Sequence, residues 1–207
     1  MKKCQLLILL MLFTMIGCAQ NQTEETEDLS GLPYAEYLSK NNPAVTITVK
    51  EMGTIRLQLF PEVAQNTVNN FIRYIQTGSY TGSSFHRVIE DFMIQGGIVS
   101  QTNCSIRGEF PSNGITNDLK HHRGVLSMAR TSINNSATSQ FFIVHQNSFF
   151  LDPNYASFGG VISGFDVLDQ IASVQTTFAD APVNSIIIEN ITVKLNGYTV
   201  GQVNCAN

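Results

Sequence analysis

The sequence predicts a mostly β fold, a closed antiparallel sheet capped by two helices. Short apolar runs of strand character recur from Ala44 almost to the C-terminus, punctuated by turn residues. Helical spacing of apolar residues appears in two separated stretches, around Val68–Ile75 and Phe165–Val174. Many short strands with two distant helices fit one sheet that closes on itself and is covered by helices. No internal repeat is seen.

The elements follow in chain order. Lys2 and Lys3 precede the apolar run Leu6–Phe13, and Met15-Ile16-Gly17-Cys18 comes next. A positive start, a short apolar core and a small residue at a cut site read as a secretory signal over 1–17. The run is too short to span a bilayer comfortably. Its ending resembles the lipobox of bacterial lipoproteins, with Met15 where that pattern prefers Leu. The resemblance implies cleavage before Cys18 and lipidation of its thiol, hence an anchor in the cell envelope. Ala19 does not resemble an inner-membrane retention signal, which points to the outer membrane.

Residues 18–42 read as a lipidated cysteine and polar tether, because Gln20–Asp28 offers nothing to bury. A flexible tether of that length would reach roughly 25–30 Å. Within it, Pro33–Leu38 suggests a short helical turn docked on the domain, which itself takes up 43–207. Val45, Ile47 and Val49 alternate with polar residues, as do Ile55, Leu57 and Leu59 after Gly53, so a hairpin is expected. Val68, Phe71, Ile72 and Ile75 mark a helix that Gly78 ends. Strand-like runs follow near 85–89, 92–96, 124–128, 140–144 and 156–159. After the second helix, Ile186–Ile188 and then Ile191, Val193 and Leu195 read as late strands.

Composition narrows the function classes. The 207 residues suffice for one domain with a full core, and 43% hydrophobic against 14% charged residues is a globular balance. The net charge is −4; without Lys2 and Lys3 it is −6, sixteen acids against ten bases. With no basic stretch, nucleic-acid binding is not expected. Cys104 and Cys205 remain after Cys4 leaves with the signal and Cys18 takes lipid. They lack metal-ligand spacing, and two separate thiols are the slightly favoured reading over a disulfide.

Three ordered blocks are more specific than composition: Phe85-His86-Arg87-Val88-Ile89-Glu90-Asp91-Phe92-Met93-Ile94-Gln95-Gly96-Gly97, Gly124-Val125-Leu126-Ser127-Met128-Ala129-Arg130 and Ser139-Gln140-Phe141-Phe142-Ile143. Together they resemble the cyclophilin family of peptidyl-prolyl isomerases, over about Ala44 to Leu195. The shortened Ile98–Leu119 stretch and Ser136–Gln140 look like its bacterial envelope branch. The resemblance implies an eight-stranded barrel with a helix over each end and a substrate groove on the outside. It implies that Arg87 is catalytic, with Gln95 beside it. Phe92, Met93, Phe142 and Leu151 would line the proline pocket, Gln95 and Gln140 would flank it as hydrogen-bonders, and Ala129 and Arg130 would form the wall that pairs with substrate backbone. Phe150 and Tyr155 stand where many eukaryotic members carry Trp and His, so tight cyclosporin binding is not expected. A monomer acting on proline-containing polypeptides, without metal or cofactor, is the implied state.

The chemistry suits these residue types. Amide resonance sets a rotation barrier of about 18–20 kcal/mol. Rotation breaks the conjugation and leaves a lone pair on the proline nitrogen, to which a fixed guanidinium can donate. An apolar slot holds the ring and disfavours the dipolar planar amide.

Without the blocks, Arg87 would be a surface ion-pair partner and Phe92, Met93 and Phe142 ordinary core residues. His86 reads as a hydrogen-bonded structural residue, His121-His122 as a solvated loop, and His145 has no assigned role. A thiol hydrolase built on Cys104 lacks any local signature. A Pro-segment binding module without turnover and a surface adhesion protein are the competing functions.

Overall fold

The computed structural model describes residues 28–206, so the signal, Cys4 and Cys18 lie outside the described residues. Strands β1 (Ala44–Val49) and β2 (Gly53–Leu59) form the expected hairpin, with Val45, Ile47, Val49, Ile55, Leu57 and Leu59 buried. Helix α1 (Gln65–Gln76) follows and gives way at Gly78, whose φ of 70° is one that glycine adopts without cost. Then come β3 (Ser84–Ile89), β4 (Met93–Gly96), β5 (Val125–Met128), β6 (Phe141–Val144) and β7 (Ser157–Ser163). Helix α2 (Phe165–Ala172) and β8 (Ile186–Lys194) complete the order. All pairings are antiparallel and the sheet closes in the order β1-β2-β7-β5-β6-β4-β3-β8. The late strands are one continuous strand, and β7 runs four residues past its expected end.

The barrel interior is filled. Phe71 of α1 meets Tyr80, Phe141 and Phe158 at centroid distances of 5.2–5.3 Å. With its lumen occupied by side chains, the barrel can offer a ligand only its outer surface. A separate apolar cluster lies there, containing Met93, Val125, Phe142, Val144 and Leu151. Successive side chains of β6 alternate between the two clusters, and in β5 Val125, Leu126 and Met128 enter them beside the buried polar Ser127, so both strands are buried throughout.

The helical turn expected within Pro33–Leu38 forms at Ala35–Tyr37 and docks on the domain: Tyr34 is fully buried, its hydroxyl donates to Val161 O at 2.7 Å, and Tyr37 stacks on Phe60 at 5.6 Å. A Cβ at Gly160 would collide with the Tyr34 ring, so that glycine makes the dock. Two aromatic rings supply the apolar area that the polar residues before them lack.

Cys104 and Cys205 form a disulfide, 101 residues apart in sequence. The reason is the path of the tail after β8. Tyr198 Oη donates to Asn69 Oδ1 at 2.7 Å, Asn204 N donates to Asn66 Oδ1 at 2.8 Å, and Ala206 N donates to Ser105 O at 2.7 Å. The tail therefore crosses α1 and reaches the 104–106 segment. The separate thiols favoured from the sequence are thus one bridge, and a second correction is His121, which is fully buried rather than solvated.

Helix α1 has no capping side chain of its own at Ala64. Glu109 substitutes from a distant loop, accepting from Asn66 N at 3.2 Å, Thr67 N at 2.7 Å and Thr67 Oγ1 at 2.6 Å.

Candidate active site

Register, more than sequence proximity, assembles the site. Arg87 on β3 pairs with Gln95 on β4, Gln95 with Phe142 on β6, and Phe142 with Ser127 on β5. Residues directly opposite in antiparallel strands share a face, so these four form one row across the outside of the barrel. Met93 lies two residues from Gln95, on the same face. A register shift between Phe85 and Arg87 interrupts β3 just where the row starts, and such bulges re-aim side chains.

The row opens into a cavity of about 470 Å³. Arg87 and Gln95 stand at one side, with Met93, Phe92, Phe142 and Leu151 as its apolar part. Ala129 and Arg130 form another wall, and Phe150, Asn154 and Tyr155 complete the lining. Phe150 is exposed and stacks on Phe92 at 5.5 Å, while Tyr155 meets the edge of Phe142 at 5.9 Å. Gln140 lines an adjoining cavity of about 260 Å³ and is tied to the first by Gln95 Nε2, which donates to Gln140 Oε1 at 2.9 Å. Ala129 N donates to Gln140 O at 2.9 Å, so backbone pairing with a peptide at Ala129 would use its carbonyl.

Sequence reasoning passed over Asp180. Arg87 Nε donates to its Oδ2 at 3.2 Å. Asp180 sits in the α2–β8 loop with φ 60°, and its carbonyl accepts from Val88 N at 2.8 Å. The loop is closed on itself by Thr177 N to Ala181 O, 2.8 Å, and Val183 N to Gln175 O, 2.9 Å. β3 pairs with β8 only at Ser84 and Phe85, and this loop takes over beyond them. Asp180 thus grips the Nε edge of the guanidinium, and Arg87 itself lines the groove. Nothing local in Phe178-Ala179-Asp180-Ala181-Pro182 beyond turn composition signals this.

His121 was also missed. Its Nδ1 lies 2.9 Å from Asp152 Oδ1, its Nε2 lies 3.0 Å from Ser127 Oγ, and its ring stacks on Phe142 at 6.0 Å. Burial, chiefly, lowers its pKa, partly offset by Asp152. The Ser127–His121–Asp152 chain has the order of a hydrolytic triad, yet Ser127 and His121 are wholly inaccessible. A nucleophile needs a path to its substrate, so these groups support the underside of Phe142 instead. His86 Nδ1 is buried without a partner. His145 accepts from Asp91 N at 2.9 Å. Among the described residues, no group of three or more His, Cys, Asp or Glu could hold a metal ion.

Residues 44–193 match the family model described as "Cyclophilin type peptidyl-prolyl cis-trans isomerase/CLD". The chain belongs to the cyclophilin-type peptidyl-prolyl cis-trans isomerases. Peptidyl-prolyl cis-trans isomerase B of Escherichia coli is 39% identical over 154 residues, covering 68% of this chain and 94% of that protein. Peptidyl-prolyl cis-trans isomerase A of Dickeya dadantii is 40% identical over 156 residues, 68% of this chain and 80% of the relative. A crystal structure of a cyclophilin-type isomerase from Cryptosporidium parvum superposes with a TM-score of 0.68 at 27% identity, covering 74% of this chain and 98% of that one. The cyclophilin match thus spans the barrel and its outer groove. The docked segment 28–43 and the disulfide-bonded tail fall outside it.

Proposed function

We propose that this isomerase works as a lipid-anchored folding catalyst of the bacterial envelope, with Arg87 as the group that stabilises the twisted imide. The observation that carries the mechanism is the juxtaposition of a clamped guanidinium with an apolar slot in one groove. The proline ring enters between Phe92, Met93, Phe142 and Leu151. As the preceding carbonyl turns out of plane, nitrogen pyramidalises and its lone pair localises. The free edge of Arg87 donates to that lone pair, which scarcely exists in the planar ground state, so binding favours the transition state. Gln95, fixed by Gln140, holds the peptide beside it. A related cyclophilin from Cryptosporidium parvum was crystallised in the presence of the dipeptide Ala-Pro, which supports a groove of this kind for prolyl peptides.

Export is supported by the 1–18 pattern and by the Cys104–Cys205 disulfide, a bond that persists in oxidising compartments. Attachment through Cys18 rests on the Gly17-Cys18 ending of the apolar run; among the described residues no helix is long and apolar enough to cross a membrane.

The test of mechanism is Arg87→Ala, assayed by exchange NMR on an Ala-Pro peptide. We expect kcat/KM to fall about 10²-fold or more with the fold unchanged; a variant as fast as the parent refutes the assignment. The test of attachment is the mass of the mature chain. A diacylglyceryl adduct on an N-terminal Cys18 is expected, and a mature N-terminus elsewhere refutes it.

A further inference from the structure

We propose that Arg130 makes this enzyme select proline segments with an acidic side chain within three positions of the proline. The proposal rests on the isomerase groove described above and names the clients that groove prefers.

Arg87 and Arg130 both line the groove, and among the described residues no acidic side chain does. The two cations differ in their surroundings. Arg87 has a carboxylate on its Nε edge. Arg130 is held by neutral groups alone. Its Nε donates to Asn154 O at 2.9 Å, its Nη1 donates to Thr131 O at 2.8 Å, and its guanidinium lies 5.1 Å from the Phe110 ring and 4.7 Å from the Tyr155 ring. These contacts fix the fork without cancelling its charge, and no carboxylate forms an ion pair with it among the described residues. Acids outnumber bases in this chain, so a cation left unpaired here does not reflect a shortage of carboxylates.

Place decides what that charge meets. Arg130 lines both the large groove and the adjoining cavity, whose other walls are the neutral Gln95, Ala129, Thr131, Ser136, Thr138 and Gln140. A peptide whose proline occupies the apolar slot carries its neighbouring residues past this guanidinium. A pre-organised fork binds carboxylates well, because little side-chain freedom is lost on pairing. In a half-solvated groove one favourable charge pair is worth about threefold in kcat/KM and one unfavourable pair costs about the same. Glu and Lys peptides should therefore differ about tenfold at low salt.

The experiment uses the full chain in mild detergent and exchange NMR on Ala-Pro peptides. Glu, Gln or Lys is placed in turn at the two positions before and the two positions after the Ala-Pro pair. We expect Glu to exceed Gln and Gln to exceed Lys at one or more positions, with the ranking compressed in 0.5 M sodium chloride. Arg130→Gln should collapse the ranking, and Arg130→Lys, which keeps the charge on a looser stem, should keep part of it. Circular dichroism and thermal melts verify that each variant is folded. Equal rates for all three peptide types in the parent, or an unchanged ranking in Arg130→Gln, overturn the proposal while leaving the isomerase assignment intact. A parent that turns over none of the peptides, neutral ones included, overturns both.

Discussion

Removing the carboxylate of Asp180 should slow catalysis without unfolding the domain. The choice of replacement follows from the backbone, because Asp180 holds φ at 60°. Alanine would add left-handed strain, whereas glycine adopts this conformation freely and asparagine tolerates it. Asp180→Gly deletes the carboxylate and keeps the carbonyl that accepts Val88 N–H at 2.8 Å. Asp180→Asn keeps a neutral acceptor. The ion pair itself adds little stability, since both side chains are 40% exposed and such pairs contribute about 0–1 kcal/mol. Together with the entropy that glycine adds to the unfolded chain, the melting temperature should drop by only about 2–6 °C. The kinetic effect arises differently. An arginine side chain carries about 2 kcal/mol of rotamer entropy. If the Nε clamp pre-orders about half of it, release costs about 1 kcal/mol at the transition state, or about fivefold in kcat/KM. Asp180→Asn should fall between parent and glycine variant. The decisive assay is a double-mutant cycle by exchange NMR, in which Asp180→Gly has no further effect once Arg87 is alanine. Equal losses in both backgrounds would refute the idea that Asp180 acts through the guanidinium.

Glu109→Ala strips the remote cap from α1 and should cost about 1–2 kcal/mol, read as a lower midpoint in urea with an unchanged slope; an unchanged midpoint contradicts the capping role. Reducing the Cys104–Cys205 bridge frees a loop of 101 residues, so a loss of about 2–5 kcal/mol is expected by calorimetry, with isomerase rates at 25 °C retained because the tail packs on α1 rather than on the groove. His121 supplies a pH dependence. Its folded pKa lies below the unfolded value, mainly through burial, with Asp152 opposing and Lys120 reinforcing the shift. Below the unfolded pKa of about 6.5 the unfolded chain therefore binds a proton that the folded one refuses. The corresponding stability is fully present above that pH and is lost as pH falls towards the folded value. Denaturant midpoints measured from pH 7.5 to 5 should decline in the parent, and this slope should shrink in His121→Asn; identical slopes would show that His121 does not carry it.

Much of the barrel was legible because one-sided burial writes a period into the chain. The β1–β2 hairpin shows strict alternation, and α1 shows i, i+3, i+4, i+7 spacing, since each buries one face. β5 and β6 bury both faces, so they leave only short apolar runs with no phase. β7 continues through Gly159-Gly160, a pair with no side chain to show a strand period; in the barrel those glycines let Tyr34 and β2 approach the strand. Arg87, Phe92, Met93, Gln95, Ala129, Arg130 and Phe142 of the groove lie in the three motif blocks on neighbouring strands, whereas Phe150, Leu151 and Tyr155 were reached only through the family resemblance. What stayed hidden depended on distance through space. Asp180 stands 93 residues from Arg87, Cys205 stands 101 from Cys104, and His121 meets Asp152 across 31 residues. No local pattern encodes such meetings, because each is fixed by where a loop or tail lands after the sheet has closed.

In the mechanism and selection proposed above, the same hidden contacts let one groove hold two guanidiniums with different duties. A catalytic donor gains nothing from binding the planar ground state, and an uncompensated charge there would attract any anion and occupy the donor. In that mechanism Asp180 offsets the charge of Arg87 from its Nε edge, which favours a neutral lone pair over a carboxylate. Arg130, braced between Phe110 and Tyr155, keeps its charge, which in the proposed selection serves recognition. It follows that an acidic client should compete with a neutral one chiefly through KM, by way of Arg130, while substitutions at Asp180 act chiefly on kcat. Measuring both constants for Glu- and Gln-flanked peptides in Asp180→Gly separates the two duties: the ratio of the two peptides' KM values should be unchanged and both kcat values reduced. A shift in the KM ratio with kcat untouched would mean that Asp180, not Arg130, sets the groove's charge preference.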